Sequence, residues 1–144
     1  TQIDYLKHLY SLMKRSGELL RFIKFIVVGG SGVVVNLGIY TLLTRLLHMN
    51  DFGAQAIAFE ASVISNFLFN NFFTFADRKA NRASNLLGKF FKFNIISLAG
   101  YGIQAASLWL FHVVIGWNDI VANGIGIIIA TLWNYVLNMW WTWK

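Results

Sequence analysis

Cysteine is absent, proline is absent, and charged side chains occupy only 12% of the 144 positions. The missing cysteines exclude a disulfide scaffold, a thiolate metal site and a cysteine nucleophile. A soluble domain of this size carries about a quarter of its residues as charges. Here the few charges are gathered in short stretches, with long apolar runs between them, and 57% of the chain is hydrophobic. That is the composition of an integral membrane protein. Acids are scarcest, with six Asp and Glu in all. His8, His48 and His112 are scattered, with too few carboxylates near any of them to complete a metal-ligand set. No Ser/His/Asp set or carboxylate pair for glycoside chemistry can be assembled. The sequence therefore predicts no catalytic residues, no metal and no cofactor, and so no enzyme activity of its own, although the chain could form the membrane part of one.

Four stretches, about 22–47, 52–75, 90–115 and 119–143, are long enough to cross about 30 Å of hydrocarbon. The links at 48–51 and 116–118 permit only tight hairpins, whereas the loop at 76–88 is longer and basic. The first 20 residues lack an apolar core followed by a small-residue cleavage site. They place Ile3, Leu6, Leu9, Tyr10 and Met13 at helical spacing among Lys7, Lys14 and Arg15. This predicts an amphipathic helix lying in the headgroup plane, with a frayed linker as the alternative. Of the 12 Lys and Arg, all but Arg45 fall at the N-terminus, in or beside the central loop, or at Lys144. The positive-inside rule places both termini in the cytoplasm and the chain, multi-pass, in the cell (inner or plasma) membrane. Topology and anionic lipid headgroups account for the net charge of +6 without nucleic acid.

The chain also repeats itself. Residues 21–75 laid over 89–143, an offset of 68, give 12 identities in 55 positions. Arg21-Phe-Ile-Lys24-Phe returns as Lys89-Phe-Phe-Lys92-Phe, and Asn50-Asp51 returns as Asn118-Asp119. Asn66-x-x-x-Asn70-x-x-Phe73-Thr74-Phe75 returns as Asn134-x-x-x-Asn138-x-x-Trp141-Thr142-Trp143. Each copy holds two spans, so both enter from the same side as parallel repeats. The predicted fold is an all-α membrane protein: four transmembrane helices in two parallel two-helix repeats, after an interfacial helix at 1–20.

A four-residue rhythm runs down the second and fourth spans: Ala54, Ala58, Ser62, Asn66, Asn70, Thr74, and Ala122, Gly126, Ala130, Asn134, Asn138, Thr142. Small residues at this spacing permit close, right-handed crossings. At 100° per residue a step of four drifts by about 40° on a straight helix. The expectation is that the small half packs helix on helix and the Asn half turns toward a cleft or the other pair of spans. The amides serve either as interhelical glue or as a ligand site for phosphate and sugar hydroxyls. Lys24 and Lys92 read either as snorkelling anchors or as phosphate-capturing groups, with Arg21 and Lys89 beside them. Glu60 is the one acid inside an apolar span, level with Asn36, and the two are expected to be able to pair. The second repeat has Gln104 at the Asn36 position but Ile128 at the Glu60 position, so the acid breaks the symmetry and is a functional candidate.

The early Arg-Phe-x-Lys-Phe-x-x-x-Gly-Gly element and the two Asn-x-x-x-Asn-x-x-[Phe/Trp]-Thr-[Phe/Trp] closures resemble the GtrA-like family over 21–144. The resemblance implies translocation of polyprenyl-phosphate-linked sugars across the membrane for surface polysaccharide synthesis or protein glycosylation. It equally implies, as an alternative, a lipid-presenting anchor of a glycosyltransferase such as a dolichyl-phosphate mannose synthase, fused or in trans. Implied partners are polyprenyl phosphate or its sugar conjugate, a glycosyltransferase and membrane lipids; four spans are thin for passing a sugar headgroup, so the translocation reading also predicts a homo-oligomer. Asn66, Asn70, Thr74, Asn134, Asn138 and Thr142 are the family-motif positions.

Overall fold

A computed structural model describes residues 1–78 and 85–144. The expected basic residues Lys79 and Arg82 lie outside the described residues. Four long helices carry the fold: α1 (Gln2–Thr41), α2 (Asp51–Phe69), α3 (Leu86–Leu108) and α4 (Asp119–Leu137). With their final turns, all four are long and apolar enough to cross a membrane, so the all-α architecture is as expected. The chain divides into two compact units, Thr1–Ala76 and Asp77–Lys144. Each is one helical hairpin: α1 with α2, and α3 with α4. The division falls between the two sequence repeats.

Each hairpin turn shows why Asn-Asp occurs twice. Asn50 precedes α2 and its side-chain oxygen accepts from the Gly53 amide at 2.8 Å. Asn118 does the same for α4, accepting from Ile120 and Val121 at 2.9 and 3.3 Å. A side-chain acceptor satisfies amides that have no partner in the first helical turn. Asp51 and Asp119 then place a negative charge at the helix start, where the dipole favours it. Before each cap the backbone turns left-handed, at His48 (φ 51°) and at its repeat counterpart Gly116 (φ 84°). Glycine adopts this conformation freely, whereas a β-carbon costs about 1–2 kcal/mol there. His48→Gly is therefore expected to stabilise the first hairpin by up to about 1 kcal/mol in detergent unfolding.

All four helices end in a π-helical turn: Leu42–Leu46, Asn70–Thr74, Trp109–Val114 and Asn138–Thr142. The turns at Asn70 and Asn138 occupy equivalent repeat positions and close with Phe75 N–H to Asn70 C=O (2.8 Å) and Trp143 N–H to Asn138 C=O (2.9 Å). An i→i+5 turn rotates less per residue than an α turn, so within it the four-step stripe loses the drift it gathers upstream.

The segment 1–20 is helical, as expected, but it is continuous with the first span. α1 runs 40 residues without interruption, about 60 Å at 1.5 Å per residue. No proline breaks it. At the junction Arg21 Nη1 donates to Glu18 Oε1 at 2.6 Å, which ties the two segments together. Ile3, Leu6, Tyr10 and Met13 are exposed along this leading half.

Candidate functional site

Within the first hairpin the seam is the four-residue stripe along its whole length. Ala54 and Ala58 are fully buried, and Asn70 and Thr74 are 2% and 3% exposed. Between them, Ser62 Oγ donates to the Gly32 carbonyl of α1 at 2.9 Å. The Asn66 amide lies directly over Gly32, where a β-carbon would come within 2.3 Å of its Oδ1. The second hairpin repeats the arrangement, with Ala122, Gly126, Ala130, Asn138 and Thr142 buried and Asn134 over Gly100. The amide half of the stripe thus keeps facing the partner helix and does not turn away to a cleft. A period of 4.0 exceeds 3.6, so the seam stays in register when the pair winds right-handedly, and the π turns complete the correction.

At the end of each hairpin opposite its tight turn, aromatic and basic groups converge. In the first, the Phe25 and Phe75 rings meet edge to face at 6.3 Å, and Lys24 Nζ stands 4.6 Å from the centre of the Phe73 ring. In the second, Phe93 meets Trp143 at 5.9 Å, and Lys92 Nζ lies 5.6 Å from the Trp141 ring and 3.5 Å from its carbonyl oxygen. Phe75 and Trp143 are fully buried, so they anchor the hairpin ends. Lys89 is 4% exposed, and Arg78, one of the basic residues of the central loop, donates to the Met139 carbonyl at 3.0 Å. Cations therefore gather where the final turn of the second hairpin leaves carbonyls unpaired.

The polar columns of the two hairpins are bonded differently. In the second, Thr142 Oγ1 donates to Asn138 Oδ1 (2.7 Å) and Asn138 Nδ2 donates to the Asn134 carbonyl (2.8 Å). In the first, Asn66 Oδ1, Asn70 Oδ1 and Thr74 Oγ1 are buried with no hydrogen-bond partner, as is Asn134 Oδ1 in the second. An unsatisfied buried acceptor costs about 1–3 kcal/mol. Such carbonyl oxygens call for a donor, and a hydroxyl or water supplies one.

Beside the seam of the first hairpin lies an open apolar groove of about 410 Å³, lined by Val27, Val28 and Ser31 of α1 and by Phe69 and Phe73 of the second span. Lys24 stands at its basic end through its contact with Phe73. The expected pairing of Asn36 with Glu60 is not made: no hydrogen bond joins them among the described residues, and Glu60 is exposed. They sit level by sequence count, but 60 lies off the 54–58–62 face that meets α1. Gln104 finds a partner within its hairpin, with Nε2 donating to Asn123 Oδ1 at 3.1 Å.

Residues 24–143 match the GtrA/DPMS transmembrane domain. Among curated proteins, the chain is 34% identical over 143 residues to a dolichol-phosphate mannosyltransferase of Pyrococcus furiosus. That alignment takes in 99% of this chain and 39% of the archaeal protein, so the chain spans about two fifths of its relative's length. The four helices, the two hairpins and the family match agree: this multi-pass membrane chain belongs to the GtrA/DPMS transmembrane-domain family.

Proposed function

We propose that the chain binds a polyprenyl phosphate, or its sugar conjugate, at the basic ends of its hairpins and presents it to a glycosyltransferase, fused or in trans. The observation that carries this reading is the extent of the likeness. The family match starts at residue 24, whereas the alignment to the mannosyltransferase takes in all but one of the 144 residues. The leading half of α1 is therefore shared with a lipid-phosphate glycosyltransferase, and it runs without a break into the first span. Lys24 and Lys92, each against an aromatic ring, supply the charge for the phosphate. The positive-inside distribution supports a cytoplasmic setting for these ends.

Native mass spectrometry of the purified chain, offered equal amounts of polyprenyl phosphate and phosphatidylglycerol, is the direct test. Preferential retention of polyprenyl phosphate is expected, and retention no better than for phosphatidylglycerol refutes the reading. Removal of residues 1–20 is expected to abolish coupling to the glycosyltransferase while the four spans stay folded.

The partnerless oxygens of Asn66 and Asn134, further along the seams, favour a second reading, in which sugar hydroxyls pass these amides during translocation. Proteoliposomes would then move a polyprenyl-phosphate sugar across the bilayer faster than empty vesicles. Equal rates leave presentation as the role.

A further inference from the structure

The sequence repeats match where the seams form but differ beside them. Phe69 and Phe73 form the groove wall on the second span, and Ser65 stands one turn before them in the same i, i+4, i+8 column. Its counterpart in the second repeat is Trp133, Leu137 and Trp141. The two columns differ most at their first position, Ser65 against Trp133. Trp133 Nε1 donates to the Ile96 carbonyl at 3.3 Å, so its indole bridges from α4 to α3. Ile96 is the counterpart of Val28, which lines the groove of the first hairpin. Where the second hairpin has this bridge, the first has only a serine hydroxymethyl.

We propose that the lipid site is asymmetric: the groove of the first hairpin takes the isoprenoid chain of one polyprenyl phosphate, with Lys24 on its phosphate, and Trp133 bars the equivalent groove in the second. This rests on the lipid-phosphate reading above and names its site. The volume of about 410 Å³ lies within the range of ligand clefts, about 300–1,000 Å³. The lining is apolar apart from the Ser31 hydroxyl, which is turned back to the Val28 carbonyl at 2.6 Å and so presents little polarity to a chain. A groove with an ammonium at its basic end suits one chain with a terminal phosphate. A phosphate monoester carries close to two negative charges near neutral pH, a phospholipid diester only one, so Lys24 draws the monoester more strongly. In the second hairpin Lys92 already reaches the Trp141 carbonyl.

A polyprenyl phosphate carrying a diazirine in its chain, photolysed with the full-length protein in phosphatidylglycerol bilayers, tests the assignment. Labelled peptides are expected to cover 27–31 and 65–73, at one lipid per chain, with at least tenfold less label on 95–99 and 133–141. Ser65→Trp, which copies the second repeat, and Ser31→Phe, from the opposite wall, are each expected to cut the first-hairpin label at least fivefold. Label divided equally between the hairpins, or concentrated on the second, overturns the proposal. So does a folded Ser65→Trp protein with undiminished label, or competition by phosphatidylglycerol on equal terms. Wild-type protein that retains polyprenyl phosphate but labels elsewhere overturns the groove assignment alone. Wild-type protein that retains none overturns the functional reading with it.

Discussion

Gly32→Val is expected to destabilise the first hairpin by about 1–3 kcal/mol, the usual penalty for forcing extra carbons into a filled interface. The β-carbon alone would fall 2.3 Å from Asn66 Oδ1 and 2.7 Å from its Cγ. The amide would have to leave the seam, and Ser62 would be pushed from the Gly32 carbonyl it bonds. Gly100→Val should do the same in the second hairpin, where the distance to Asn134 Nδ2 is 2.7 Å. The same helices supply controls. Gly29, Gly30 and Gly102 have no neighbouring atom within 4 Å of an added β-carbon. Alanine there should be neutral or stabilising by up to about 1 kcal/mol, through helix propensity alone. Unfolding in detergent, followed by circular dichroism, separates the two groups. If valine at 32 and at 100 behaves like alanine at 30, the seams do not lie where the amides sit on glycine.

Lys24→Glu is expected to weaken polyprenyl phosphate binding by tenfold to a hundredfold, while Lys24→Arg retains it. The loss of one charge-assisted hydrogen bond to a phosphate amounts to about 1.5–3 kcal/mol, and each 1.4 kcal/mol is about tenfold in affinity. Lys92→Glu should cost less, because Lys92 is engaged by the Trp141 carbonyl and its groove is bridged by Trp133. Titration with polyprenyl phosphate in nanodiscs reads both. Equal losses at 24 and 92 would mean that the hairpins bind alike.

Hydropathy and the 68-residue offset made the four spans, the tight turns and the pairing into hairpins legible, because these depend on periodic composition. The Asn caps of α2 and α4 were visible only as repeated letters, and their work at the turn became clear with the backbone. Two expectations went astray for physical reasons. On a straight α-helix the amide stripe drifts off the seam, whereas the π turns and the winding of the pair keep it on the partner helix. Glu60 and Asn36 share a depth, but depth does not fix which way a helical residue points. The asymmetry of the groove was within reach of the sequence: Ser65 stands opposite Trp133 in the repeat alignment. The two residues share no chemistry, and the Trp133–Ile96 hydrogen bond is what gives the difference meaning.

Each seam is made wholly within its own hairpin, from residues no more than about one repeat apart. Contacts of such short sequence reach close early and quickly, since little loop entropy is lost in forming them. During synthesis at about 5–20 residues per second, residues 1–76 would be complete several seconds before Lys144 is added. The first hairpin can therefore bury its amides against α1 in the bilayer while the second is still being made. A duplicated hairpin is, in this sense, a schedule: the polar groups hardest to hold in lipid are buried in two instalments and never stand exposed together.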